Sequence, residues 1–180
     1  MNLVRERRHR LTLASLTALV LLSGCARFDG SAAPPLAQNG AAAEAGYSVT
    51  PGNIASVRER ALETLNNSRA SAGVPPVILD AGLSSAADRH SSDMSRQRRA
   101  WLFGSNGSSP VQRAERAGFP GEVIGEVISE TYETEVQTIA TWMGQSAQRA
   151  ILLDPSATRI GLGAYQDPSM KFWWTLTVAK

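Results

Sequence analysis

The 180 residues contain one cysteine, Cys25, so no intrachain disulfide is available and packing has to hold the domain together. Histidine is almost as scarce. His9 and His90 are the only two, which leaves little material for a metal centre or a histidine-based relay. There is no G-x-S-x-G elbow, and the glycine-rich stretch at residues 104–110 lacks the lysine of a phosphate-binding P-loop. No apolar run reaches membrane-spanning length. The longest, Leu11 to Leu22, has the length of a signal-peptide core. No internal repeat is present.

What the chain does have begins with its address. Arg5, Arg7, Arg8 and Arg10 precede the apolar run, which reads as an export signal over residues 1–24. Its close, Leu22-Ser23-Gly24-Cys25, resembles the bacterial lipobox. That resemblance implies cleavage before Cys25 and acylation of its thiol and new amino group, giving a membrane anchor to which each buried methylene adds about 0.8 kcal/mol. Loss of the signal removes four arginines and Glu6, leaving 14 basic and 15 acidic residues. Such a balance offers no basic surface, and nucleic acid is excluded as an expected partner. Residues 25–52, rich in Ala, Gly, Pro and Ser, read as a flexible tether, with a short apolar patch at Tyr47 and Val49 positioned to touch the fold.

The domain is expected over residues 53–180. Ile54, Val57, Ala61, Leu62 and Leu65 mark one face of a first helix that ends near Gly73. Asp80 caps a second, with Leu83, Ala86, Ala87, His90 and Met94 on its inner stripe; His90 there reads as a satisfied core histidine, and the arginines at 96–99 as a solvated helix end. Ser109-Pro110 starts a short helix with Val111, Ala114 and Ala117 as apolar positions. Gly125 to Ile128 reads as a short buried strand carrying Glu126. Thr134 with Gln137 makes a capping box for a helix with Val136, Ile139, Ala140 and Met143 on its stripe. The period then changes to two, and residues 159–165 and 171–180 are expected to form a hairpin across the turn at Asp167-Pro168. Helices followed by a terminal hairpin indicate an α+β or layered α/β domain.

These segments, in this order, resemble the CAP superfamily in its bacterial SCP-domain form. The carrying motifs are Leu65-Asn66-x-x-Arg69-Ala70, Ala86-Ala87-x-x-His90 with Asp93-Met94, Gly104-Ser-x-Gly107-Ser-Ser-Pro with Arg113, Gly125-Glu126, Trp142-Met143, Arg149-Ala150 and Ile160-Gly161-x-Gly163. The resemblance implies a three-layer α-β-α sandwich. It also implies a cleft that in many members holds two histidines and two acids and can bind a divalent metal. Transferred residue by residue, the first histidine falls on Leu102, the retained acid on Glu126, the second acid near Gln145 and the second histidine on Gln148. Both histidines are missing here, so no metal and no other cofactor is expected: a zinc site takes at least three good protein ligands, and neutral amides bind zinc poorly.

Three readings of function follow. The first is a non-catalytic, lipid-anchored module of the cell envelope that binds a small apolar ligand, favoured by Leu102, or an envelope protein. The second is an envelope hydrolase using Glu126 without metal. In the third, a structural role, an exposed Trp173 face of the last strand makes the contact. Glu126 itself reads equally as a cleft carboxylate and as a structural acid paired with Arg149 or with backbone amides.

Overall fold

The computed structural model describes residues 46–180; the export signal, Cys25 and the tether as far as residue 45 lie outside the described residues. The elements in chain order are α1 (Ile54–Ser71), β1 (Ile78–Leu79), α2 (Ala81–Gln97), α3 (Pro110–Arg116), β2 (Val123–Thr131), α4 (Glu135–Gly144), α5 (Ser146–Leu152), β3 (Arg159–Gln166) and β4 (Phe172–Ala179). Local chemistry sets most of the starts. Asp80 caps α2 by accepting from the Leu83 amide at 2.8 Å, and capping boxes open both α3 (Ser109 with Gln112) and α4 (Thr134 with Gln137).

The four strands form one sheet in the order β1-β3-β4-β2, with β1 parallel to β3 and the other pairs antiparallel. The expected hairpin is present, with Leu162 opposite Leu176 and Ala164 opposite Trp174. β2 runs from Val123 to Thr131 and so extends well beyond the short strand expected around Glu126.

Helices cover both faces of the sheet, giving the three layers of an α-β-α sandwich. One face packs Phe172, Trp174, Leu176 and Val178 of β4 against Val57, Ala61 and Leu65 of α1 and Ile139 and Trp142 of α4. Each of the three α1 residues is fully buried; a Leu or Val side chain removed from water in this way stabilises the fold by about 1.5–3 kcal/mol. Tyr47 and Val49 pack against the same cluster, and Tyr47 meets Phe172 edge to face at 5.3 Å.

The other face carries α2 and α3, and α2 lies unusually close to the sheet. A Cβ on Gly161 would stand 2.3 Å from the Leu83 carbonyl carbon, and one on Gly163 2.1 Å from that of Ala87. No side chain fits between α2 and β3, so glycine is required at both positions for the layers to meet.

Arg69 ties the α1 end of the molecule together. It is fully buried, and its guanidinium donates to the carbonyls of Pro75, Leu152 and Asp154 at 2.7, 2.7 and 3.1 Å, with a longer bond to Ala157. The planar fork of arginine suits this collection of carbonyls from separate loops.

Three expectations about exposure are corrected. On α4 the buried residues are Glu135, Thr138, Ile139 and Trp142, whereas Val136 is exposed, as is Ala140. The reason is tertiary: the Glu135 carboxylate accepts from Tyr47 and, at 2.5 Å, from Arg60 of α1, which draws it inward. On α3, Val111 is exposed and Arg113 is buried beside Ala114. Trp173 forms no exposed face either. It is 3% exposed because helices cover both sides of β4, so that strand offers no surface of its own for a partner.

Candidate functional site

Glu126 sits on β2 opposite Thr177 of β4, and its carboxylate faces the α2–α3 layer. Thr177 Oγ1 donates to Glu126 Oε2 at 2.8 Å. Arg113 Nη2, from α3, donates to Oε1 at 2.5 Å. The same guanidinium donates to the Leu102 carbonyl at 2.9 Å and the Ser108 carbonyl at 2.7 Å. Arg113 therefore fastens both ends of the 102–109 loop to the sheet through one carboxylate.

His90 of α2 completes this group. Its Nε2 lies 3.0 Å from the Trp101 carbonyl and 3.7 Å from Glu126 Oε1. A carbonyl only accepts, so Nε2 carries the proton and Nδ1 keeps a lone pair. Burial, with the Arg113 cation nearby, lowers the His90 pKa to about 4, so the ring is neutral at ordinary pH. Nδ1 has no partner, nor does Arg113 Nε. The core-histidine expectation is thus met in burial, at 1% exposed, but only half met in hydrogen bonding. Burial also pushes the Glu126 carboxyl upward, against the pull of Arg113 and Thr177, and pushes the Arg113 guanidinium downward against the pull of Glu126.

The structure brings two of the four expected cleft positions together. The Leu102 carbonyl and the Glu126 carboxylate both accept from Arg113, while the Leu102 side chain is 41% exposed at the rim. Gln145 is an exposed residue between α4 and α5, and Gln148 is a half-buried residue of α5. No hydrogen bond among the described residues joins either glutamine to Glu126. The expected pairing with Arg149 is overturned: Arg149 donates to the Met143 carbonyl at 3.0 Å, and Arg113 is the partner of Glu126.

A divalent metal does not fit these residues. The Glu126 carboxylate already holds a guanidinium and a hydroxyl, and Leu102 supplies only a carbonyl that Arg113 occupies. Among the described residues no group of three or more His, Cys, Asp or Glu side chains is placed to hold an ion.

Beside this network opens a cavity of about 320 Å³ between α2, the 104–108 loop and α3, lined by Arg89, His90, Asp93, Arg96, Arg113 and Arg116. Asp93 organises its loop wall, accepting from the Ser105 amide at 2.6 Å, the Ser105 hydroxyl at 2.7 Å and Arg96 at 3.0 Å. Burial pushes the Asp93 carboxyl up, but the bonds from Ser105 and Arg96 outweigh it and hold it below the usual range. Sequence reasoning missed this convergence. Arg89 and Arg96 are one helical repeat of seven apart on α2, and Arg113 and Arg116 are three apart on α3, so each pair shares a face; nothing local says that the two faces meet.

Fold and site together define a layered α-β-α domain whose one retained cleft carboxylate is locked to an arginine. A sequence model of the Cysteine-rich secretory protein family, CAP, matches residues 62–178. The chain belongs to this family. Among curated proteins it is similar to YkwD of Bacillus subtilis (strain 168), 26% identical over 125 residues that make up 69% of this chain and 48% of that protein; the chain thus spans about half the length of that relative. Among solved structures it resembles an extracellular SCP-domain protein of Bacillus anthracis (TM-score 0.65, 19% identity, covering 74% of this chain and 45% of that one). It also resembles an outer surface protein of Borrelia burgdorferi (TM-score 0.64, 12% identity, covering 69% of this chain and 92% of that one). At these identities the likeness shows the fold alone.

Proposed function

We propose that this protein is a non-catalytic binding module of the cell envelope, anchored by lipid at Cys25. The observation that carries the non-catalytic part is the closed state of Glu126, whose side chain is 2% exposed and engaged on both oxygens. A general acid, a general base or a nucleophile has to reach its substrate. Glu126 does not, Leu102 and Arg113 supply no proton-transfer group, and burial holds the His90 pKa at about 4, below the range of a general base at neutral pH. The lipobox-like residues at 22–25 support the anchored, extracytoplasmic placement. Among the described residues no helix is long and apolar enough to cross a membrane.

For a small apolar ligand the favourable place is away from Leu102. A cavity of about 450 Å³ lined by Val49, Pro51, Ile54, Ala164 and Tyr165, with Thr50, Asp88 and Gln166 as its polar members, has the largely apolar walls that such a molecule needs. The cavity near Leu102 is walled by arginines instead. The test of the reading is a turnover assay. Full-length protein in non-ionic detergent is incubated with envelope material from its own cells, and released products are followed by mass spectrometry. No turnover is expected; turnover that disappears in Glu126→Gln would replace the binding module with a hydrolase.

A further inference from the structure

The arginine-walled cavity has features that packing alone does not account for. Four arginines line it against one aspartate, and that aspartate is already held by Ser105 and Arg96. Arg89 and Arg116 are exposed, and neither makes an ion pair with a described carboxylate. Cations left in this way beside a concave wall raise the local concentration of anions. Arginine is also the side chain whose fork matches the oxygens of phosphate.

A second, independent observation concerns two buried residues that line the cavity. His90 and Arg113 line it, are 1% and 9% exposed, and each carries a polar atom without a partner: the Nδ1 lone pair of His90 and the Nε–H of Arg113. Buried polar atoms are seldom left unmatched in a folded protein, so such a pair is rarely idle. An acceptor and a donor on two residues lining one cavity together complement a hydroxyl, which both gives and takes a hydrogen bond, either directly or through a water carried with it. The volume of about 320 Å³ is room for roughly ten water-sized groups. A phosphate bearing a short polyol has about that many heavy atoms.

We propose that this cavity binds a phosphate-bearing polyol, its phosphate held by Arg89, Arg96 and Arg116 and its hydroxyls turned toward His90 and Arg113. The proposal rests on the reading of the protein as a binder, and it adds a ligand class and a second site to it. The shared chemistry, a hydroxylated phosphate, occurs both in soluble polyol phosphates and in the headgroup of phosphatidylglycerol.

The experiment is calorimetric titration of the full-length protein in non-ionic micelles with glycerol 3-phosphate at low salt. Saturable binding is expected, tighter than for orthophosphate. It should weaken roughly tenfold or more in the surface variant Arg89→Ala/Arg116→Ala, and remain unchanged in Arg159→Ala, an exposed arginine of β3 outside the cavity. Micelles doped with phosphatidylglycerol, compared with phosphatidylcholine, separate the sources: competition identifies the lipid headgroup as the ligand, and its absence identifies a soluble phosphate. No saturable binding, or equal weakening in Arg159→Ala, overturns the site. Equal affinity for orthophosphate overturns the polyol half. Either failure leaves the binding-module reading intact, because that reading falls only if Glu126-dependent turnover is found.

Discussion

Arg113 Nη2 stands 2.5 Å from Glu126 Oε1 at a point where the two side chains are 10% and 2% exposed. Two charges so placed are interdependent, and removing one leaves the other buried without compensation. Arg113→Met should therefore lower the unfolding free energy by about 3–5 kcal/mol, and Arg113→Met/Glu126→Leu by clearly less than the sum of the single changes. Urea denaturation of the four proteins of the cycle measures this; additive losses would show the pair to be uncoupled.

His90 gives a pH dependence with a definite sign. Its pKa is lowered from 6.5 to about 4 in the folded protein, first by burial and then by the Arg113 cation. Between these values the unfolded chain takes up a proton that the folded chain refuses. Stability is accordingly complete above pH 6.5 and falls as pH drops toward 4, by up to ~3 kcal/mol. Denaturation midpoints across this window check it. His90→Gln, which can still donate to the Trp101 carbonyl, should flatten the slope there while leaving the carboxylate-driven fall at lower pH.

Gly163 and Gly144 make a matched pair of substitutions. Alanine at 163 drives a Cβ into the α2 backbone, beyond the ordinary overpacking cost of about 1–3 kcal/mol. A loss of at least ~3 kcal/mol, or failure to accumulate as folded protein, is expected. Alanine at 144, the last residue of α4, meets nothing within 4 Å and should stabilise by up to ~1 kcal/mol. Thermal melts of both settle the comparison.

Arg69→Lys is expected to be nearly as damaging as Arg69→Met. Lysine keeps the charge but cannot place three or four donors on carbonyls from separate loops. Each carbonyl left bare inside adds about 1–3 kcal/mol. If lysine restored most of the lost stability, charge would matter here more than the fork.

Cys25→Ala should move the protein from the membrane pellet to the soluble fraction. Two or more acyl chains make anchoring stable, and the substitution removes the thiol on which the anchor would be built. Fractionation followed by immunoblotting decides; full membrane retention of the variant would remove the lipid anchor from the proposed function.

The elements were legible in the sequence wherever the signal is local. The Asp80 cap, the Thr134–Gln137 box and the period-two strands after residue 158 all appear where residue spacing puts them. Exposure was legible only where a single face decides it. Glu135 goes inside because Tyr47 and Arg60, 88 and 75 residues away, meet it there. Trp173 is buried because α2 covers a face that alternation assigns to solvent. At the site, the resemblance pointed to Leu102 and Glu126 and quoted Arg113 only as a motif residue, since an arginine on a short helix looks like surface until its carboxylate partner on β2 is known. The cavity arginines were hidden for the same reason: convergence of two helices is a property of the sheet they share.

Gly161 and Gly163 also bear on mechanics. With only backbone between α2 and β3, there is no side chain whose change of rotamer could let the helix slide, so Arg89, Asp93 and Arg96 stand on a wall that moves only with the sheet. The facing wall is attached by side chains instead, through Arg113, the Asp93–Ser105 bonds and a small apolar patch of Ala114 and Phe119 against Leu83 and Ala179. A change in the width of the cavity is therefore a displacement of α3 and its loop relative to a stationary helix. The spacing that an entering anion meets on the α2 side is built in before it arrives.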